Sequence, residues 1–177
     1  DVIAHKTEKK ALYLNINSEE EFRAAYTELE NMIRTEFGVQ SPKVLIQEQI
    51  KAEEEIFIGA NRDGGSNVYQ PNMQGFGHLL AFGKGGIYTE VYKDIGYSLV
   101  PSCRETMLEN LKKTKVMKII DGARGKGPLA LDALLDVIEA VQKLVLLYPE
   151  IESLDINPIL LTQSRAVAVD IKVFVRK

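Results

Sequence analysis

Cysteine is almost missing from this chain. Cys103 stands alone, so no disulfide can close within it. That fits a reducing compartment, and the cytoplasm is the expected location. No apolar run approaches the roughly 20 residues that a membrane-spanning helix needs. Residues 1–10 are polar and charged, not a signal peptide. Neither sign of charge dominates: 22 Lys and Arg stand against 25 Asp and Glu, for a net charge of −3. With a pI near 5.5 the chain lacks the basic footprint of a nucleic-acid binder. Neither a membrane nor a nucleic acid is therefore expected as a partner. Histidine is scarce, and His78 and Cys103 show no metal-ligand spacing. Internal repeats, low-complexity tracts and a Walker A sequence are all absent. What is present is ordinary for a globular protein: 177 residues, 45% hydrophobic and 27% charged. That length suffices for one good-sized domain or two small lobes.

The tail is the most informative segment. Leu154-Asp155-Ile156-Asn157-Pro158-Ile159-Leu160-Leu161 and Ala166-Val167-Ala168-Val169-Asp170-Ile171-Lys172-Val173 flank Thr162-Gln163-Ser164-Arg165. Two apolar runs around a short polar loop read as a β-hairpin. A symmetric loop pairs Asn157 with Asp170 and Asp155 with Lys172, and strand alternation puts all four on one face. Opposed Cβ atoms lie roughly 4.5–5.5 Å apart. An amide oxygen and a carboxylate at that spacing can share one hard cation. Mg²⁺ takes a few protein oxygens and completes its shell with water and phosphate. A plainer alternative stands beside this one. Asp-x-Asn-Pro is also good turn chemistry, and a polar patch on an exposed sheet face has the same pattern. Pro158 cannot donate to a ladder, so it belongs on an edge or at a bulge.

Upstream, Ala11 to Ile16 alternates as a strand does. Ser18 with Glu21 makes a capping box. A helix follows to about Phe37, with Phe22, Ala25, Tyr26, Leu29 and Ile33 in an apolar stripe, and Gly38 ends it. Lys43 to Ile50, Glu55 to Ala60 and Leu79 to Phe82 read as strands. Asp63 to Gly77 is a loop rich in Gly, Asn and Pro. Ser102 and Glu105 form a second capping box before a helix to about Thr114. A short helical piece covers Lys115 to Ile120, and a long amphipathic helix covers Leu129 to Leu147. Antiparallel strands with separate helices make the class α+β. The lobe boundary is expected at Gly38 to Pro42, dividing residues 1–40 from 41–177.

Seven stretches in one order resemble a known family. They are Ala4-His5-Lys6-Thr7-Glu8, Val44-Leu45-Ile46-Gln47-Glu48, Glu55-Ile56-Phe57-Ile58-Gly59, Asn61-Arg62-Asp63, Phe82-Gly83-Lys84-Gly85-Gly86 running on to Glu90 and Asp94, Gly122-Ala123-Arg124-Gly125, and the Asp-Ile-Asn-Pro-Ile tail. Together they resemble the ATP-grasp domain of the ADP-forming acyl-CoA synthetases, relatives of the succinyl-CoA synthetase β subunit. Each stretch alone is weakly specific; the series in order covers nearly the whole chain.

The resemblance implies an ATP-grasp fold, Mg²⁺ and ATP or ADP as cofactors, and a CoA-binding subunit or domain as partner, with a homo-oligomer open. It implies the reaction acyl-CoA + ADP + phosphate ⇌ acid + CoA + ATP through a phosphohistidine. His5 falls on the phosphate-relay histidine, since imidazole is a good nucleophile near neutral pH. The family's following glycines are replaced here by Glu8-Lys9-Lys10-Ala11-Leu12. Gln47 and Glu48 fall on the hinge that meets adenine and ribose, and Glu55 on a recurring acid. Gly85 and Gly86 fall on the phosphate-facing loop, where backbone N–H groups approach oxygens. Arg62 and Arg124 match family arginines that could meet phosphates. Asn157 and Asp170 fall on the Mg²⁺ ligands. The chain starts at Asp1, after the place of an early strand bearing a phosphate-binding lysine, so a fragment is expected, with weak nucleotide binding alone. Two other functions share this sequence pattern: a regulatory module of a protein lysine acetyltransferase, and a non-catalytic scaffold that only binds a partner.

Overall fold

The structure is a computed structural model that describes residues 12–63, 75 and 77–176. The chain forms two compact units, residues 1–50 and 51–177. The division follows Ile50, beyond the Gly38–Pro42 stretch where the sequence places a lobe boundary. Residues 43–50 stay with the first unit because Gln49 reaches back to Asn15: its amide accepts the Asn15 N–H and donates to Asn15 Oδ1.

In the first unit, helix α1 spans Glu19–Phe37. Ser18 caps it, accepting the Glu21 N–H at 3.1 Å, while Glu21 accepts the Asn17 N–H at 2.7 Å. Gly38 closes it at φ 65°, its N–H on the Arg34 carbonyl. The apolar stripe of α1 lines a groove of about 720 Å³ together with Leu12, Ile16, Val44 and Ile46. Residues 12–17 and 43–50 carry no strand, contrary to the alternation in the sequence. A strand exists only through a paired neighbour, and neither segment has a backbone ladder among the described residues. Leu45 and Ile46 are left exposed.

The second unit is built on one antiparallel sheet. Its strands are β1 (Glu54–Arg62), β2 (His78–Lys84), β3 (Ile95–Leu99), β4 (Ile151–Leu161), β5 (Ala166–Ala168) and β6 (Ile171–Val175). The order is β3-β2-β1-β4-β5, and β6 also pairs with β4. Helices α2 (Thr89–Tyr92), α3 (Arg104–Lys112), α4 (Met117–Ile120) and α5 (Leu131–Leu147) connect β2, β3 and β4. The architecture is α+β, as the element pattern implies.

Alternation decides which face is buried. Ile56, Ile58 and Ala60 of β1, Leu80 and Phe82 of β2, and Leu154, Ile156, Ile159 and Leu161 of β4 form the core. Against them pack Met107 and Leu111 of α3 and Leu134, Ile138, Val141 and Val145 of α5, spaced three and four apart as a helix face requires. Each such side chain contributes about 1.5–3 kcal/mol on burial. The other sheet face carries Glu55, Phe57 and Gly59.

Two details differ from the sequence reading. Ser102 does not cap α3; Cys103 holds the cap position, and its side chain accepts no helix N–H. Ser102 is engaged elsewhere: its hydroxyl donates to the Leu99 carbonyl, and its backbone exchanges two hydrogen bonds with the Gln142 amide of α5. The partner of β4 is also not one strand. It breaks into β5 and β6 around Val169 and Asp170.

Candidate nucleotide site on the open face of the sheet

The hairpin register is the one the loop symmetry requires. Leu161 pairs with Ala166 and Ile159 with Ala168 in β5; Ile156 pairs with Ile171 and Asp155 with Lys172 in β6. Asn157 and Asp170 sit opposite each other in the break, joined by the Asn157 N–H on the Asp170 carbonyl at 3.2 Å. On the other side, Ile56 pairs with Ile159 but Ile58 with Ile156, so Asn157 and Pro158 together oppose Phe57. This is a bulge on β4. It holds a proline that has no N–H to offer.

The glycine-rich turn arrives from β2. The Gly85 N–H donates to the Glu55 carbonyl at 2.8 Å. The Gly86 N–H donates to Asn157 Oδ1 at 3.0 Å. Gly85 is required by close approach and Gly86 by its backbone conformation. A Cβ on Gly85 would lie 2.5 Å from the Ile56 carbonyl carbon, and one on Gly86 would lie 2.4 Å from Glu55 Oε2. Gly86 also has φ 87°, which L side chains disfavour. Four sequence candidates, Glu55, Gly85, Gly86 and Asn157, therefore meet at one place, with Asp170 across the hairpin from Asn157.

Charge at this place is mixed. Lys172 Nζ lies 3.5 Å from Asp170 Oδ2. Burial pushes the Asp155 carboxyl above the usual carboxylate range; Lys172 opposes that and Asp170 adds to it. The donors fit a hard divalent cation. The Asn157 carbonyl oxygen has a second lone pair beyond the one that accepts from Gly86, and Asp170 offers a carboxylate. Among the described residues no three His, Cys, Asp or Glu side chains gather as a complete metal cage. A cation held here would take the rest of its shell from water and phosphate, as Mg²⁺ does.

His5 is outside the described residues, as is most of the Asp63 to Gly77 loop. Gln47 and Glu48 belong to the first unit, on an exposed segment without regular structure. Arg62 donates to the Pro149 carbonyl and anchors the turn into β4. Arg124 sits in an exposed loop at φ 54°.

Asp94 belongs to the glycine segment that the resemblance names, whereas Glu54 and its partner Lys84 escape the sequence reading as a pair. Asp94 accepts the N–H groups of Lys115 and Val116 at 2.6 and 2.7 Å, while its carbonyl takes the Lys84 N–H. It fastens the end of the glycine segment to α4. Glu54 is buried and paired with Lys84. Glu54 and Ile56 share parity on β1, and that was the available signal.

A family model described as an ATP-grasp domain matches residues 1–175. The chain is 34% identical over 169 residues to the acetate–CoA ligase [ADP-forming] I subunit beta of Pyrococcus furiosus, covering 95% of this chain and 68% of that one. It is 29% identical to the acetate–CoA ligase [ADP-forming] I of Archaeoglobus fulgidus, where it covers 96% of this chain but spans only 23% of that protein. Acetyl-coenzyme A synthetase 1 of Ca. Korarchaeum cryptofilum, solved with coenzyme A and Mg-AMPPCP, superposes with a TM-score of 0.77 at 26% identity, over 98% of this chain and 71% of that one. The chain belongs to the ATP-grasp domain family and is the ATP-grasp part of an ADP-forming acyl-CoA synthetase, a ligase.

Proposed function

We propose that the open face of the second unit binds Mg-ADP or Mg-ATP in a synthetase that interconverts acyl-CoA, ADP and phosphate with carboxylic acid, CoA and ATP. The observation that carries this is the Gly86 N–H resting on the Asn157 amide oxygen with Asp170 directly across the hairpin. Asn157 and Asp170 would hold the metal, which supplies charge neutralisation to the phosphates. Gly85 and Gly86 bring backbone close to phosphate oxygens. Glu55, beside Gly86, orients the turn. Gln47 and Glu48 are the proposed adenine and ribose contacts, and His5 the residue that accepts and passes the phosphoryl group. The relative named as a beta subunit supports a CoA-binding partner chain, and the longer single-chain relative supports the same part fused; a cytoplasmic location accords with both.

The test is Mg-ADP binding by isothermal titration in the full-length synthetase. Asp170→Asn should weaken it by about tenfold to a hundredfold, the value of one charge-assisted bond, with turnover nearly abolished and the fold intact. Unchanged affinity in Asp170→Asn and in Asn157→Ala would refute the site.

A further inference from the structure

We propose that the buried Glu54–Lys84 ion pair is a positioning device that sets the glycine turn against Asn157. The inference rests on the reading that the Gly86–Asn157 cluster binds nucleotide. Lys84 looks like a phosphate ligand from its setting between Gly83 and Gly85, but it points the other way. Lys84 pairs with Ile56 in the β1–β2 register, and opposed residues project to the same face. That face is the core side, where Glu54 also lies. The Glu54 side chain is only 7% exposed and Lys84 28%. Glu54 Oε1 takes both the Lys84 ammonium and the Glu55 N–H, the latter at 2.9 Å.

The pair therefore clasps the last residue of β2 to the first residues of β1, directly behind the turn. Lys84 is followed at once by Gly85, whose N–H is on the Glu55 carbonyl, and by Gly86, whose N–H is on Asn157. Moving the end of β2 moves both donors. A buried pair is weak evidence for stability as such, because replacing both partners is often neutral. Its fixed geometry is what matters here. Removing one partner leaves a buried charge that must find water, and the strand end must shift to let it.

The full-length synthetase is assayed for the KM of ADP, for kcat and for thermal midpoint. Lys84→Met should raise KM about tenfold, the value of the Gly86 hydrogen bond, with kcat within about twofold. Glu54→Gln keeps an acceptor and should raise KM by a smaller factor. The exchanged pair, Glu54→Lys with Lys84→Glu, should return KM to within about threefold of the parent. A core control, Val141→Ala, should lower the midpoint and leave KM alone. If Lys84 were itself a phosphate ligand, Glu54→Gln would free it and lower KM, and the exchanged pair would be the worst variant; either result overturns the proposal. Unchanged KM in Lys84→Met overturns it, as does an equal rise in Val141→Ala. Should Lys84→Met fail to fold, Glu54→Gln decides by the sign of its effect. Asn157→Ala in the same assay separates the two readings. Normal KM there removes the nucleotide site; a raised KM there with normal KM in both single variants removes only the clasp.

Discussion

Alanine at Gly86 and at Gly85 should damage the protein in different ways. Gly86 has φ 87°, where an L side chain costs about 1–2 kcal/mol. Its new Cβ would meet only the tip of Glu55, at 2.4 Å from Oε2. A flexible carboxylate swings aside easily, so strain is the main cost. For a unit of this size that lowers Tm by roughly 3–10 °C. Gly85 is not at positive φ, but its Cβ would press on the β1 backbone, 2.5 Å from the Ile56 carbonyl carbon and 2.8 Å from the Phe57 nitrogen. Backbone cannot yield without breaking the Gly85–Glu55 rung. Overpacking plus one lost hydrogen bond costs about 2–4 kcal/mol. Gly85→Ala should therefore be the less stable variant. Gly86→Ala should be the one whose nucleotide affinity falls further than its stability explains, because Glu55 has been displaced. Far-UV circular dichroism follows unfolding, since this chain has no tryptophan, and isothermal titration reports Mg-ADP. A Gly85→Ala protein as stable as the parent, or a Gly86→Ala protein less stable than Gly85→Ala, would refute the reasoning.

Two further outcomes follow. Glu105 in the first turn of α3 has its carboxyl held below the usual range, chiefly by its own backbone N–H and then by Cys103. A depressed folded pKa contributes stability above the ordinary glutamate value of about 4.3 and loses it as pH falls through the lower folded value. Urea titrations should show Glu105→Gln less stable than the parent at pH 7 and equal to it at pH 2; an equal deficit at both would refute this. Incubating the intact synthetase with Mg-ATP should leave acid-labile phosphate on His5, whereas phosphate found only on the CoA-binding part, with His5→Ala fully active, would remove the relay.

The legible parts of the fold were those fixed by short-range chemistry. Helix α1 begins at Ser18 and ends at Gly38 because capping needs only neighbours, and α5 shows its buried stripe in its own periodicity. The hairpin register followed from four loop residues. The parts that failed depended on distant partners. Ser102 was lost as a cap because Gln142, on another helix, takes its backbone. Residues 43–50 have strand composition, yet composition cannot supply the neighbouring strand that a ladder needs. At the site, Glu55, Gly85, Gly86 and Asn157 were legible as types, but the Gly86–Asn157 bond joins residues far apart in sequence. Glu54 and Lys84 were passed over because a run of three glutamates reads as solvated, although alternation with Ile56 points the middle one inward.

The bulge at Asn157–Pro158 reconciles the site with the core. On a regular strand Asp155, Asn157, Ile159 and Leu161 would all share one face. The structure instead puts Ile156 and Ile159, three apart, into the core, and leaves Asn157 on the other face. The extra residue flips the phase between the two halves of β4. One strand thereby presents polar groups on the open face before the bulge and buries Ile159 and Leu161, both 0% exposed, after it. Deleting Pro158 removes the extra residue yet keeps the faces: Ile156 and Ile159 would then stand two apart, both toward the core, with Asn157 between them on the open face. The core should therefore survive. The mismatch moves to the hairpin side, where Asn157 alone would have to oppose both Val169 and Asp170. The deletion variant should fold by circular dichroism and bind Mg-ADP more weakly than the parent, because Asp170 no longer stands squarely across from Asn157. An unfolded second unit, or a folded variant that binds Mg-ADP like the parent, would refute this.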